Sequence, residues 1–265
     1  MDDRYRRVAV ETAKRAGALL RAEAGKRRQI SFKGSPTNLV TEMDRRAEAL
    51  IIDSIRAAFP AHAILSEERG AVGGPSSHRW IIDPLDGTTN YAHGIPIVGV
   101  SIALEVDGQT RLGVVYDPNL EECFVGERGK GASLDGQRLC VSGTPTLNES
   151  LLATGFPYSI REIPRNNLAE FGAFSRRCQG VRRMGSAVLY FCYVAAGRLD
   201  GYWELRLGPW DAAAGALMVE EAGGRVTNLD GGSLDRERPA VVASNGRIHD
   251  EMLRVLKEVA VCSRA

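Results

Sequence analysis

The sequence offers no apolar run long enough to span a bilayer, and its first ten residues carry charges where a secretory signal needs an apolar stretch. Asp2 and Asp3 also argue against a mitochondrial presequence. Cysteine is sparse: Cys123, Cys140, Cys178, Cys192 and Cys262 are odd in number, widely spaced and form no C-x-x-C pair, which argues against a disulfide framework or a structural zinc site. A reduced cytoplasm is the expected home. Strong charge of one sign is missing too, because the formal net charge is +1. Nothing in that balance calls for a nucleic-acid or membrane partner. The basic residues crowding the start (Arg4, Arg6, Arg7, Lys14, Arg15, Arg21, Lys26, Arg27, Arg28) read as a solvated helix face.

Common chemical signatures are missing as well. The four histidines, His62, His78, His93 and His249, show no H-E-x-x-H spacing and read as structural or surface residues. No G-x-S-x-G or paired Cys/His pattern supports a side-chain nucleophile. No G-x-G-x-x-G follows the first strand, and Gly223-Gly224 reads as a helix C-terminus. Residues 126–131 are glycine-rich and basic but lack the spacing and final hydroxyl residue of a phosphate-cradling Walker loop, so they read as a hairpin or turn.

What is present is an ordinary globular balance, 265 residues with 44% hydrophobic and 25% charged, enough for a large core. Apolar spacing predicts a helix over 3–27 and a second from Thr41-Glu42-Met43-Asp44 to Pro60, with Asp44 in its first turn. Short strands are expected at 63–65, stopping at Ser66-Glu67-Glu68, and at 80–82, stopping at Asp83. An antiparallel meander follows over 97–125. The second half alternates strand 150–155, a helix within 164–178, helix 186–196, strand 199–204, helix 210–222, strand 240–243 and a last helix near 247–260. Stacked α and β layers fit this order better than a repeat. The chain reads as one domain over 1–265, with a sub-domain boundary near 140–150.

The chemistry concentrates at Trp80-Ile81-Ile82-Asp83-Pro84-Leu85-Asp86-Gly87-Thr88-Thr89-Asn90, where an apolar strand runs into two aspartates three apart. Pro84 restricts the backbone, Gly87 permits close approach, and Thr88-Thr89 can open a helix whose free N–H groups favour an anion. Taken singly, Asp86-Gly87 is a turn signal, Glu67-Glu68 a solvated surface, and Trp210-Asp211 a helix N-cap. Taken together, three elements each present a carboxylate beside apolar sequence, where an unpaired charge is costly. Shared divalent cations resolve that cost, and oxygen-only ligands favour magnesium over zinc.

These residues, with Trp210-Asp211-Ala212-Ala213-Ala214-Gly215 and Glu221-Ala222-Gly223-Gly224, give the chain a resemblance to the inositol monophosphatase family of lithium-sensitive, magnesium-dependent phosphatases. The resemblance runs from a loop containing Lys33, similar to the family's mobile lid, to the last helix. It implies a five-layer αβαβα sandwich of the inositol monophosphatase/fructose-1,6-bisphosphatase type and a homodimer. It also implies hydrolysis of a small phosphorylated polyol or sugar by a metal-activated water, with two to three Mg2+ per site. By the family's pattern, Glu67, Asp83 and the carbonyl of Leu85 would hold the first ion. Asp83, Asp86 and Asp211 would hold the second, and Glu67 would help hold a weaker third. Thr88 and Asp44, with Glu67, would orient the attacking water. Gly87 and Thr88 would contact the phosphate, and Gly185-Ser186-Ala187, Glu204, Asp86 and Asp211 would face the alcohol.

The chemistry leaves the substrate open: fructose 1,6-bisphosphate, histidinol phosphate, NADP and 3′-phosphoadenosine compounds are alternatives. A different class of function is a regulatory binding role on the same scaffold, using Arg182-Arg183 or the basic first helix.

Overall fold

The computed structural model describes residues 2–25, 30–32 and 39–262. Lys33 and the predicted Gly34-Ser35-Pro36 loop lie outside the described residues. In chain order the first half contains α1 (Asp3–Glu23), β1 (Ile30–Phe32), β2 (Leu39–Thr41), α2 (Glu42–Ala58), β3 (Ala63–Ser66), β4 (Gly70–Val72), β5 (His78–Asp86) and α3 (Thr88–His93). The meander follows as β6 (Gly99–Val106), β7 (Gln109–Asp117), β8 (Glu122–Glu127), β9 (Gly131–Leu134) and β10 (Gln137–Arg138). The remainder is β11 (Leu151–Thr154), α4 (Leu168–Ser175), β12 (Gly180–Arg182), α5 (Ala187–Ala195), β13 (Gly201–Glu204), α6 (Pro209–Glu221), β14 (Arg225–Thr227), β15 (Val241–Ser244) and α7 (His249–Cys262).

The strands form an eight-stranded sheet ordered β10-β9-β8-β7-β6-β5-β3-β4 and a five-stranded sheet ordered β12-β11-β13-β15-β14, besides the small β1–β2 pair. Helices α1 and α2 cover one face of the larger sheet, α5 and α6 lie between the sheets, and α4 and α7 cover the outer face of the smaller. This is the layered α/β sandwich that the resemblance implies.

Strand periodicity builds the layers. Trp80 and Ile82 of β5 point into the core beneath α1 and α2, with Ala13, Leu20, Ile51 and Ile55, whereas Ile81 points into the core around α5 and α6. On β13, Tyr202 joins that central core while Trp203 packs outward with Phe174, Val242 and Met252. The two central helices touch closely: a methyl on Gly215 of α6 would sit 2.4 Å from Cβ of Phe191 on α5. Glycine there is therefore a packing requirement.

Two predicted boundaries move. Helix α1 ends at Glu23 instead of reaching residue 27, because Ala24 turns to an extended conformation (φ −60°, ψ 139°). Strand β5 does not stop at Asp83 but continues to Asp86. Asp83 pairs with Ser101 and Asp86 with Gly99, so three steps on β5 face two on β6. Pro84 supplies no N–H to the ladder, and a bulge accommodates it. The expected turn over 126–131 is the β8–β9 connection, and Cys123, Cys140, Cys178 and Cys192 are free thiols. Among the described residues no helix is long and apolar enough to cross a membrane.

Candidate active site

Parallel strands β3 and β5 end side by side, and their carboxyl ends bring acidic side chains to one place. At the start of the β5 bulge, Asp83 is 1% exposed, and its Oδ1 accepts the Leu85 N–H at 3.0 Å. Asp86 faces α5, where its Oδ2 accepts the Ser186 hydroxyl at 2.5 Å and the Val188 N–H at 3.0 Å. Asp211 stands at the third position of α6. There its Oδ2 accepts the Gly208 N–H at 2.6 Å, so the helix cap is Gly208 and Asp211 reaches back to satisfy its N–H.

Ligand-capable oxygens of Asp83, Asp86 and Asp211 lie within 4.8 Å of one another. Glu67 begins the β3–β4 turn, its N–H bonded to the Ile82 carbonyl at 3.2 Å, and its carboxyl shares a hydrogen bond with Asp83.

Such crowding raises proton affinity. Burial first, then Glu67, Asp86 and Asp211, hold the Asp83 carboxyl well above its usual range. Burial, Asp86 and Glu67 do the same to Asp211. Burial pushes Asp86 up to about 6, opposed by its bonds to Ser186 and Val188. Burial is the largest cause of each shift, and like charges beside Asp83 and Asp211 add to it. Hard oxygen donors of this charge and spacing match a divalent cation of the magnesium type, and the side chains fit such an ion as they stand.

Thr88 occupies the first turn of α3. Its hydroxyl lies 2.9 Å from Oδ1 of Asp44 and 3.1 Å from the Leu85 carbonyl. Asp44 is itself fixed: its Oδ2 accepts the Thr41 N–H at 2.8 Å and the Thr41 hydroxyl at 2.6 Å, in the capping box that opens α2. Burial raises the Asp44 pKa against these bonds. Helix α3 has only six residues, so anion attraction there comes from unpaired N–H groups rather than an extended macrodipole. Gly87 has φ 86°, and a methyl on it would lie 2.8 Å from the Ile97 carbonyl. No other residue type suits that position.

A cavity of about 500 Å³ opens above the carboxylates. Glu67, Asp83, Leu85, Asp86, Gly87, Thr88, Gly185, Ser186, Ala187, Glu204 and Asp211 all line it. Of the residues singled out from the sequence, Asp44 stands behind the wall and reaches the cavity through Thr88. Glu204 is held by the Tyr202 hydroxyl at 2.6 Å, and burial lifts its pKa to about 7 against that bond and the smaller pull of Arg183.

Sequence reasoning named no residue of the opposite wall and marked 156–169 only as a loop of the kind that shapes specificity; there Phe156, Tyr158 and Glu162 line the cavity with Arg183 and Arg206. Segment 156–169 carries no periodicity or motif, and only its placement after β11 could have suggested a role. It also missed Gly155. A methyl there would approach Glu204 Oε2 to 2.2 Å, so the bare backbone makes room for that carboxyl.

The sequence profile of the Inositol monophosphatase family matches residues 1–260. The chain is similar to the inositol-1-monophosphatase of Mesorhizobium japonicum, 45% identical over 254 residues that cover 95% of each protein. It is 42% identical to the Nus factor SuhB of Escherichia coli, over 95% of each. Among solved structures, the inositol monophosphatase of Anabaena (Nostoc) superposes with a TM-score of 0.85 at 44% identity, covering 95% of this chain and 94% of that one. With a match along nearly its whole length and the same layered fold, the chain belongs to the inositol monophosphatase family.

Proposed function

We propose that this cavity hydrolyses the phosphate ester of a small polyol, inositol monophosphate foremost, with magnesium as cofactor and water as the direct nucleophile. One observation carries the reading: the carboxylate oxygens of Asp83, Asp86 and Asp211 converge within 4.8 Å on the floor of a cavity whose wall presents Glu204. Glu67, Asp83 and the Leu85 carbonyl would hold one ion; Asp83, Asp86 and Asp211 would hold a second; Glu67 would help hold a weaker third. When bound, magnesium supplies Lewis acidity that offsets phosphate charge and lowers the pKa of water.

The side chains do the rest. With its proton directed to Asp44, the Thr88 hydroxyl offers a lone pair to the attacking water and aligns it with phosphorus. Glu67 flanks the same water as a further acceptor. The N–H groups of Gly87 and Thr88 receive phosphate oxygens. Water adds to phosphorus as the ester P–O bond breaks, a proton from that water ends on the leaving oxygen, and the alcohol departs toward Glu204, Ser186 and Ala187. A buried acceptor such as Glu204 suits a substrate rich in hydroxyls, because Tyr202 occupies only part of its accepting capacity and an apolar alcohol would leave the rest unused. Membership of the family and the inositol-1-monophosphatase relative support the choice of substrate. A homodimer in a reducing cytoplasm is the assembly and location that accompany this reading.

The test is phosphate release from a panel of inositol, sugar and nucleotide phosphates, with and without magnesium and lithium. Magnesium-dependent, lithium-inhibited turnover that favours inositol monophosphate is expected, with loss by orders of magnitude in Asp83→Asn. A clear preference for fructose bisphosphate or NADP would reject the polyol assignment, and unchanged turnover in Asp83→Asn would reject the metal site.

A second reading, a binding role for a macromolecular partner, has one supporting feature besides the name of the SuhB relative: Arg182 and Arg183 are both exposed, and Arg183 stands at the cavity rim. Binding by this pair would persist in Asp83→Asn and disappear in a double alanine variant.

A further inference from the structure

Glu48 lies four residues beyond Asp44 on α2, on the same helix face, and is 1% exposed. A buried carboxylate needs partners, and those of Glu48 all come from the turn that carries Glu67. Its Oε1 accepts the Ser66 hydroxyl at 2.5 Å, the Glu68 N–H at 3.1 Å and the Arg69 N–H at 3.0 Å. The Arg69 Nε stands 3.2 Å from Oε2. That oxygen has no well-aligned hydrogen bond, so the pairing with Arg69 is one of charge.

We infer that Glu48 is a positioning residue for the metal site: it clamps the Ser66–Arg69 turn and thereby fixes where the Glu67 carboxylate points. Three constraints converge on Glu67. Glu48 holds the residue before it through a side chain and the residue after it through the backbone, while the Ile82 carbonyl takes the N–H of Glu67 itself. A three-residue connection between β3 and β4 with both flanks tied has little freedom left. One turn of α2 therefore braces the site twice, Asp44 through Thr88 in the first turn of α3 and Glu48 through the β3–β4 turn.

The inference rests on the proposed role of Glu67 as a magnesium ligand. Removal of a group that orients a ligand commonly weakens metal affinity by about 10- to 100-fold. The experiment measures magnesium binding to the metal-free protein, as displacement of Mn2+ followed by electron paramagnetic resonance and as the magnesium-dependent rise in unfolding temperature. Glu48→Ala is expected to weaken magnesium binding by about that factor, with kcat largely recovered at saturating magnesium. Glu48→Gln keeps an oxygen acceptor for the three donors and is expected to restore most of the affinity. Ser66→Ala removes one tie without emptying the core and decides the matter where Glu48→Ala does not fold; a smaller loss of affinity is expected.

A folded Glu48→Ala or Ser66→Ala protein that binds magnesium like the parent, beside a Glu67→Gln protein that binds it weakly, overturns the positioning role alone. Equal losses in Glu48→Gln and Glu48→Ala also overturn it, because the acceptor would then be irrelevant. Parental affinity in Glu67→Gln removes the ligand reading, and the positioning role with it.

Discussion

The Thr88 hydroxyl lies 2.9 Å from Asp44 Oδ1, across 44 residues of sequence, and the other oxygen of that carboxylate is occupied by Thr41. Asp44 is therefore an acceptor of fixed direction, and Thr88 has a fixed rotamer. If this pair aligns the nucleophilic water, Thr88→Ala lowers kcat by about 100-fold or more, the scale of a lost general acid–base partner. Thr88→Ser retains most of the rate. KM changes little in either case. Steady-state kinetics on inositol 1-phosphate at saturating magnesium checks this, and a Thr88→Ala enzyme within a few-fold of the parent would dismiss the pair from catalysis.

The crowded carboxylates make the metal-free protein sensitive to pH in a predictable direction. Asp86 titrates at about 6, and Asp83 and Asp211 are also raised, by burial and mutual repulsion. An unfolded aspartate titrates at about 3.9, so above that pH the folded state binds more protons than the unfolded. Stability contributed by the protonated forms is then lost as pH rises through the folded values. The unfolding temperature of the metal-free protein is expected to fall as pH rises from mildly acidic to mildly alkaline. Magnesium should flatten that slope by replacing the protons, and Asp83→Asn should flatten it without magnesium. Scanning calorimetry across pH, with and without magnesium, reads all three curves. A metal-free protein whose stability rises throughout this range contradicts the crowding.

Glu204 owes its place to a missing side chain. Any Cβ on residue 155 would collide with the Glu204 carboxyl, at 2.2 Å from Oε2. Gly155→Ala should displace that carboxyl from the alcohol side of the cavity, at a cost of about 1.5–3 kcal/mol for hydrogen bonds to a charged group. KM for inositol 1-phosphate is expected to rise about 10-fold or more on that energy. Inhibition by inorganic phosphate, which needs only the other end of the site, should keep its Ki. Equal weakening of both ligands would mean that the substitution disturbs the floor of the site and not the alcohol wall.

These residues also mark what a sequence can convey. Asp83, Asp86 and Thr88 were readable because one strand and one turn place them, and local spacing survives folding. Asp44 was readable as a capping residue because its partner Thr41 is three positions away. The extension of β5 past Asp83 was not, since a bulge depends on the neighbouring strand and not on the bulged one. Glu48 and Gly155 carry no local signature at all: one is a charge inside a helix and the other a glycine after a strand. Their roles exist only in contacts with Ser66 and Glu204, 18 and 49 residues away. The cavity wall at 156–162 was illegible for the same reason, because it forms by placement and has no periodicity.

Far from the cavity, His249 begins α7 fully buried, between Ser244 and Thr227. The Thr227 hydroxyl also lies 2.7 Å from the Asn228 carbonyl and donates there, so it accepts from His249 Nε2–H. Nδ1 is then the acceptor, and the Ser244 hydroxyl donates to it at 2.9 Å. A second proton on the ring would break this arrangement at a position with no exposure to solvent. Burial, helped by Arg225, accordingly lowers its pKa from 6.5 to about 4. Between those values the unfolded state binds the proton and the folded state does not, so stability is complete above about 6.5 and lost as pH falls toward 4. A depression of this size corresponds to about 3 kcal/mol. Urea unfolding of the parent and of His249→Asn at neutral pH and near pH 4 isolates the effect, because the carboxylates titrate alike in both proteins. The parent is expected to lose about 3 kcal/mol more than the variant over that interval. Parallel losses would mean that the histidine is already protonated in the folded state and that the polar contacts of Ser244 and Thr227 can turn to accept from it.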